Sequence, residues 1–141
     1  MTQYASYNYY REEERLYKDA YDLKMRDEDV ELILKKIYRH FKIDSTYIPD
    51  VKFWGHRQTG SASKGKCLLR ISHNPSMGLL IHEIGHLIQH RSFFRDLFKT
   101  VKNKGTDHHG THFQTTLTWL HNWAKTKDYW RSQLKRRASK E

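Results

Sequence analysis

Leu79-Leu80-Ile81-His82-Glu83-Ile84-Gly85-His86-Leu87-Ile88 sets two histidines and a glutamate inside an otherwise apolar run. On a helix, His82 and His86 lie one turn apart on the same face, so both imidazoles can reach one tetrahedral zinc ion. Glu83 points beside that position and can take a proton from an attacking water and pass it on. A buried His-Glu-His set is costly unless its polar groups find partners, and a metal ion resolves that cost. The apolar flanks argue against a chance HExxH on a solvated surface helix. Gly85 leaves room for a close neighbour. His90 repeats the four-residue spacing, but three ligands on one straight helix seldom converge on one tetrahedral ion. It is read as a surface or supporting residue.

Asn74-Pro75-Ser76 precedes this run, with Ser76 suited to cap a helix expected from Met77 to about Phe94. Before it, Val51-Lys52-Phe53-Trp54 and Lys66 to Ser72 read as strands, and residues 55–65 as a hairpin loop or a short third strand. The strand from Cys67 to Ser72 is the expected edge strand, open to pairing with an extended substrate. Nearer the N-terminus, one helix is expected from Tyr7 to Met25 and a second from Asp27 to Phe41, with Val30, Ile33, Leu34, Ile37, Tyr38 and Phe41 on one face. Acidic residues near the starts of both, Glu12-Glu13-Glu14 and Asp27-Glu28-Asp29, suit the helix dipole. Both helices are read as scaffold without chemistry. A final helix is expected from about Thr111, carrying Phe113, Leu117, Leu120 and Trp123.

A catalytic zinc usually takes three protein ligands, so a third must come from elsewhere. The metzincin continuation needs a glycine and a histidine where this chain has Gln89 and Ser92. The next histidine-rich stretch is Thr106-Asp107-His108-His109-Gly110-Thr111-His112-Phe113, where His108, His109 and His112 are all possible ligands. Taken together, Asn74-Pro75, His82-Glu83-Ile84-Gly85-His86 and His109-Gly110-Thr111-His112-Phe113 resemble the SprT-like metallopeptidases, the family of the DNA–protein crosslink protease Spartan. The matched order covers roughly residues 50–125. The resemblance implies an α+β zincin-like fold, Zn2+ held by His82, His86 and His109, Glu83 as the base, and Phe113 packing the last helix against the site. It also implies proteins bound on or near DNA as substrates.

The chain of 141 residues fits one domain, divided into N-terminal helices (1–48), a metallopeptidase core (50–125) and a basic C-terminal tail (126–141). Its single cysteine, Cys67, excludes a disulfide framework or a four-cysteine ribbon within these residues and is read as a small buried hydrophobe. No signal peptide or membrane-spanning stretch is read, so an intracellular protein, cytoplasmic or at the nucleoid or nucleus, is expected. The net charge of +10 is uneven. Residues 1–50 hold 9 basic and 11 acidic side chains, and the remaining 91 residues hold 17 and 5. That basic excess suits a polyanion, most simply DNA, with Lys99, Lys102, Lys104 and the tail from Lys135 as phosphate contacts. Trp54, Trp119, Trp123 and Trp130 are read as core, and His56 and His73 as structural or surface residues. The competing readings are a zinc-stabilised nucleic-acid-binding module, which has no need of Glu83, and a zincin hydrolase with unrelated substrates.

Overall fold

In a computed structural model, residues 3–63, 65–91, 94–97 and 111–126 are described. Among these residues, helices and a three-stranded sheet make a small α+β fold. In chain order they are α1 (Gln3–Leu16), α2 (Lys18–Asp22), α3 (Asp27–His40), β1 (Asp50–Phe53), β2 (Gly60–Ser63), β3 (Leu68–Ile71), α4 (Met77–Ile88) and α5 (Thr111–Thr126). Residues 94–97 are also helical. Among the described residues no helix is long and apolar enough to cross a membrane.

The periodic face of α3 is buried as its spacing predicts, through Val30, Ile33, Leu34, Ile37 and Tyr38. Each such aliphatic side chain removed from water contributes roughly 1.5–3 kcal/mol. The single helix expected from Tyr7 to Met25 is instead two, α1 and α2, and ends at Asp22. The physical reason is a competing partner. Leu23 turns to extended backbone, Lys24 bridges Ser76, Met25 N–H donates to Pro75 O, and Met77 N–H donates to Leu23 O. The chain before α3 is thereby stitched to the start of α4.

The sheet order is β1-β3-β2, with β1 parallel and β2 antiparallel to β3. This corrects the expected edge: the strand around Cys67–Ser72 is central, paired on both sides, and the cleft-side edge strand is β2, from the stretch left open between loop and strand. The sequence Gly60-Ser61-Ala62-Ser63 has little strand propensity, so pairing with β3 decides its conformation. Asn74, at φ 49°, takes the left-handed turn that Asn tolerates, and its N–H donates to Asp27 Oδ1 at 2.7 Å. Ser76 caps α4 by accepting from Leu79 N–H at 3.0 Å.

The core runs from α3 through β3 and α4 to α5. Helix α4 ends at Ile88, short of the Phe94 boundary, and Gly78 through Ile88 are buried apart from Leu79 and His86, which are partly so. Two glycines let neighbours reach its backbone. A Cβ at Gly78 would stand 2.5 Å from the Tyr21 ring, and one at Gly85 would stand 2.9 Å from Phe113. Of the tryptophans read as core, Trp123 is buried, but Trp54 and Trp119 are exposed, Trp54 to 61%. Trp130 lies outside the described residues. Cys67 is a free thiol at intermediate burial, its Sγ within 3.4 Å of Tyr47 O.

Gly78→Ala is expected to destabilise the fold by about 1–3 kcal/mol, because the aromatic ring it meets is itself held in place. Gly65→Ala, where an added Cβ meets nothing within 4 Å, should stay within about 0.5 kcal/mol. Urea unfolding of the two variants side by side checks this. Equal stabilities would show that Tyr21 can move away from α4 at no cost.

Candidate metal centre

Helix α4 presents His82 and His86 with their Nε2 atoms 3.3 Å apart. Two nitrogens each about 2.0–2.1 Å from a tetrahedral zinc stand about 3.3 Å from one another, so the pair already has the spacing of two ligands on one ion. His82 is 2% exposed, and its other nitrogen, Nδ1, lies 2.8 and 3.0 Å from the two carboxylate oxygens of Glu13. An ionised carboxylate only accepts, which makes Nδ1 the donor and leaves the Nε2 lone pair toward His86. Phe113 of α5 fixes both rings from one side, stacked on His86 at 4.1 Å between centroids and edge-on to His82 at 5.0 Å. The donor set and its spacing fit a zinc ion.

Glu83 is 6% exposed. Burial pushes its carboxyl up to about 6, with the nearby Glu13 charge adding to the rise and His82 opposing it. A Cβ at Gly60 would come within 3.1 Å of Glu83 Cγ, so the start of β2 passes directly against this side chain. Tyr10 of α1 closes the other side, its ring 5.2 Å from that of His82. Burial raises the Tyr10 hydroxyl pKa, as do the charges of Glu83 and Glu13. Tyr10, Gln58, Thr59, Gly60, His82 and Glu83 share a cavity of about 310 Å³. Gln58 anchors its rim, accepting from Ser76 N–H at 2.8 Å and donating to Asn74 O at 3.2 Å.

The structure thus brings together His82, Glu83, His86 and Phe113. His108 and His109, with Lys99, Lys102, Lys104 and the tail from Lys135, lie outside the described residues. Among the described residues no group of three His, Cys, Asp or Glu side chains forms a complete metal cage. His112 lies at intermediate burial in the first turn of α5, its carbonyl accepting from Thr116 Oγ1. His73 is structural, as read, its Nδ1 2.5 Å from Asp27 Oδ2, and His56 is exposed beside its ring. Glu13, Tyr10 and Tyr21 were missed. A signal for the first was present: Tyr10, Glu13 and Tyr17 recur at helical spacing, with an acid inside an aromatic stripe.

His121 of α5 is 1% exposed and stacked on Tyr17 at 3.6 Å with an interplanar angle of 1°. Its Nε2 is buried without a hydrogen bond. Burial lowers its pKa to about 4; Glu13 opposes the shift, and Lys125 and His82 add to it.

No protein-family model matches the chain, and neither a curated protein nor a solved structure does.

The imidazole of His121 stays neutral when folded but takes a proton when unfolded, between pH 6.5 and about 4. Its contribution to stability is therefore whole above pH 6.5 and lost as pH falls through that window, by up to about 3 kcal/mol. Urea unfolding of metal-free wild type and His121→Phe at pH 7.5 and 4.5 should show the wild type losing about 2–3 kcal/mol more than the variant. Parallel losses would show that His121 is protonated in the folded state.

Proposed function

We propose that this chain is a zinc-dependent metallopeptidase of the zincin type, SprT-like in its arrangement, cleaving peptide bonds in proteins associated with DNA. The observation that carries this reading is the pair of Nε2 atoms 3.3 Å apart on one helix, with a buried glutamate next to them lining a cavity. A purely structural zinc site has no use for an acid in that position.

His82 and His86 would hold the ion through Nε2, with His109 as the third ligand by resemblance to the family. Zinc, when bound, supplies Lewis acidity toward the scissile carbonyl. Glu83 accepts the proton of the attacking water and delivers it to the leaving amine. Burial raises its pKa toward neutrality in the metal-free protein, the direction that return of the proton requires. The absence of a side chain at Gly60 leaves room for the base beside the cavity. An extended substrate would add to the edge of β2 that no other described strand pairs with, taking main-chain hydrogen bonds beside Glu83.

DNA association rests on charge. The 17 basic against 5 acidic residues after position 50 would attract phosphate with little sequence preference. It would bring the protease to proteins already on DNA.

Glu83→Gln should retain zinc and fold but lose hydrolysis, by on the order of 10²-fold or more, since an amide cannot accept the proton. His82→Ala and His86→Ala should lose the metal itself. Elemental analysis with casein or histone cleavage distinguishes these. A Glu83→Gln protein that cleaves like wild type removes Glu83 from the mechanism. A wild type that takes up no zinc ends the metallopeptidase reading.

Fluorescence anisotropy with a labelled oligonucleotide should show affinity falling roughly tenfold or more as salt rises from about 50 to about 200 mM. Charge reversal at Lys99, Lys102 and Lys104 should weaken binding while zinc stays bound. Absence of salt-sensitive binding would leave a zincin hydrolase with unrelated substrates.

A further inference from the structure

The residue that engages the buried side of His82 comes from the far end of the chain. Glu13 lies on α1, is itself 2% exposed, and sits 69 residues before its partner. Its carboxylate is held from a second direction by the Tyr21 hydroxyl, which donates to Oε2. The Tyr21 ring, in turn, rests against α4 at Gly78, where any side chain would overlap it. Gly78, Tyr21, Glu13 and His82 thus form one continuous relay that leaves α4 and returns to it a turn later.

This arrangement has a chemical consequence. A neutral imidazole carries one proton, which resides on either nitrogen. A carboxylate at Nδ1 draws it there and leaves Nε2 as a bare lone pair, the form a metal needs. The same contact fixes the ring's rotation, and the negative charge makes Nε2 a stronger donor. His86, partly exposed and held by Phe113 stacking, receives no comparable contact from Glu13.

We infer that Glu13, held by Tyr21, is a positioning residue that fixes His82 as the Nδ1–H tautomer with Nε2 presented to the metal, making the N-terminal helix part of the metal site. The inference rests on the zinc-binding reading above. Glu13 touches neither substrate nor metal.

The test uses the full chain. Long-range ¹H–¹⁵N spectra of metal-free wild type above pH 7 should show His82 protonated at Nδ1, and Glu13→Gln should shift it toward an Nε2–H or mixed state. Zinc affinity, by competition with a chromophoric chelator, should weaken about 10–100-fold in Glu13→Gln. Tyr21→Phe, which keeps the carboxylate and removes only the hydroxyl, should weaken it in the same direction by less. A structural role alone would lower the melting temperature without moving the tautomer. Wild-type His82 found as Nε2–H overturns the inference, even if the Glu13 variant fails to fold. So does a folded Glu13→Gln protein binding zinc within about twofold of wild type. A wild type with the expected tautomer but no zinc uptake rejects the zinc reading instead, and with it any role for Glu13 toward a metal.

Discussion

Over its second half, from Tyr10 to Leu16, the first helix meets the rest of the molecule through the contact between Glu13 and His82. From Tyr10 to Leu16, α1 buries one side chain, and that side chain is a carboxylate. The usual reason for a helix to dock, an apolar stripe facing a core, is missing along this stretch. The contacts there are polar and directional: hydrogen bonds into Glu13 from His82 and Tyr21 help offset the removal of its charge from water. Apolar docking tolerates sliding by a residue or a small rotation. Directional hydrogen bonds to a buried carboxylate tolerate neither as readily, because a shift lengthens or bends them.

The same constraint explains the crowding around α4. The helix packs against α2, α5 and β2. It is nearly buried all round, yet it carries two imidazoles and a carboxylate. Each polar group must therefore be met from a different neighbour. His82 is met by α1, His86 by the face of Phe113, and Glu83 by the cavity it shares with Tyr10 and β2. The glycines at 78 and 85 allow this. They fall seven residues apart on a helix of 3.6 residues per turn, so they lie on nearly the same face, one admitting Tyr21 and the other Phe113. The aromatic residues that steady the two histidines are thereby brought closer than side-chain packing alone permits.

Much of this was legible in the sequence where local pattern and tertiary demand agree. The apolar spacing of Asp27 to Phe41, the Ser76 cap and the apolar run from Leu79 to Ile88 each point to a helix, and the fold adopts it. Legibility failed where a distant partner overrides local preference. Glu12, Glu13 and Glu14 are alike as neighbours in sequence, and the helix's phase against α4 decides that the middle one is buried. The helix expected to reach Met25 stops at Asp22 because Leu23 and Met25 find backbone partners around Pro75. Lys24, inside the expected helix, instead bridges Ser76. Neither partner is visible within a local window.

The edge strand is the sharpest conflict between local preference and site geometry. Gly60-Ser61-Ala62-Ser63 is a poor strand sequence, lacking the β-branched and aromatic residues that favour a pleated surface. A better strand former at its first position would carry a Cβ into Glu83 Cγ at 3.1 Å and into Arg70 O at 3.2 Å. The small residue therefore keeps the Glu83 side chain and the space beside it open, while β3, apolar at Leu68, Leu69 and Ile71, supplies the pairing that β2 lacks in its own propensity. Local inconsistency of this kind is expected where space or reactivity matters more than stability. Here it occurs at the point where the sheet meets Glu83, and the cavity opens at that same point.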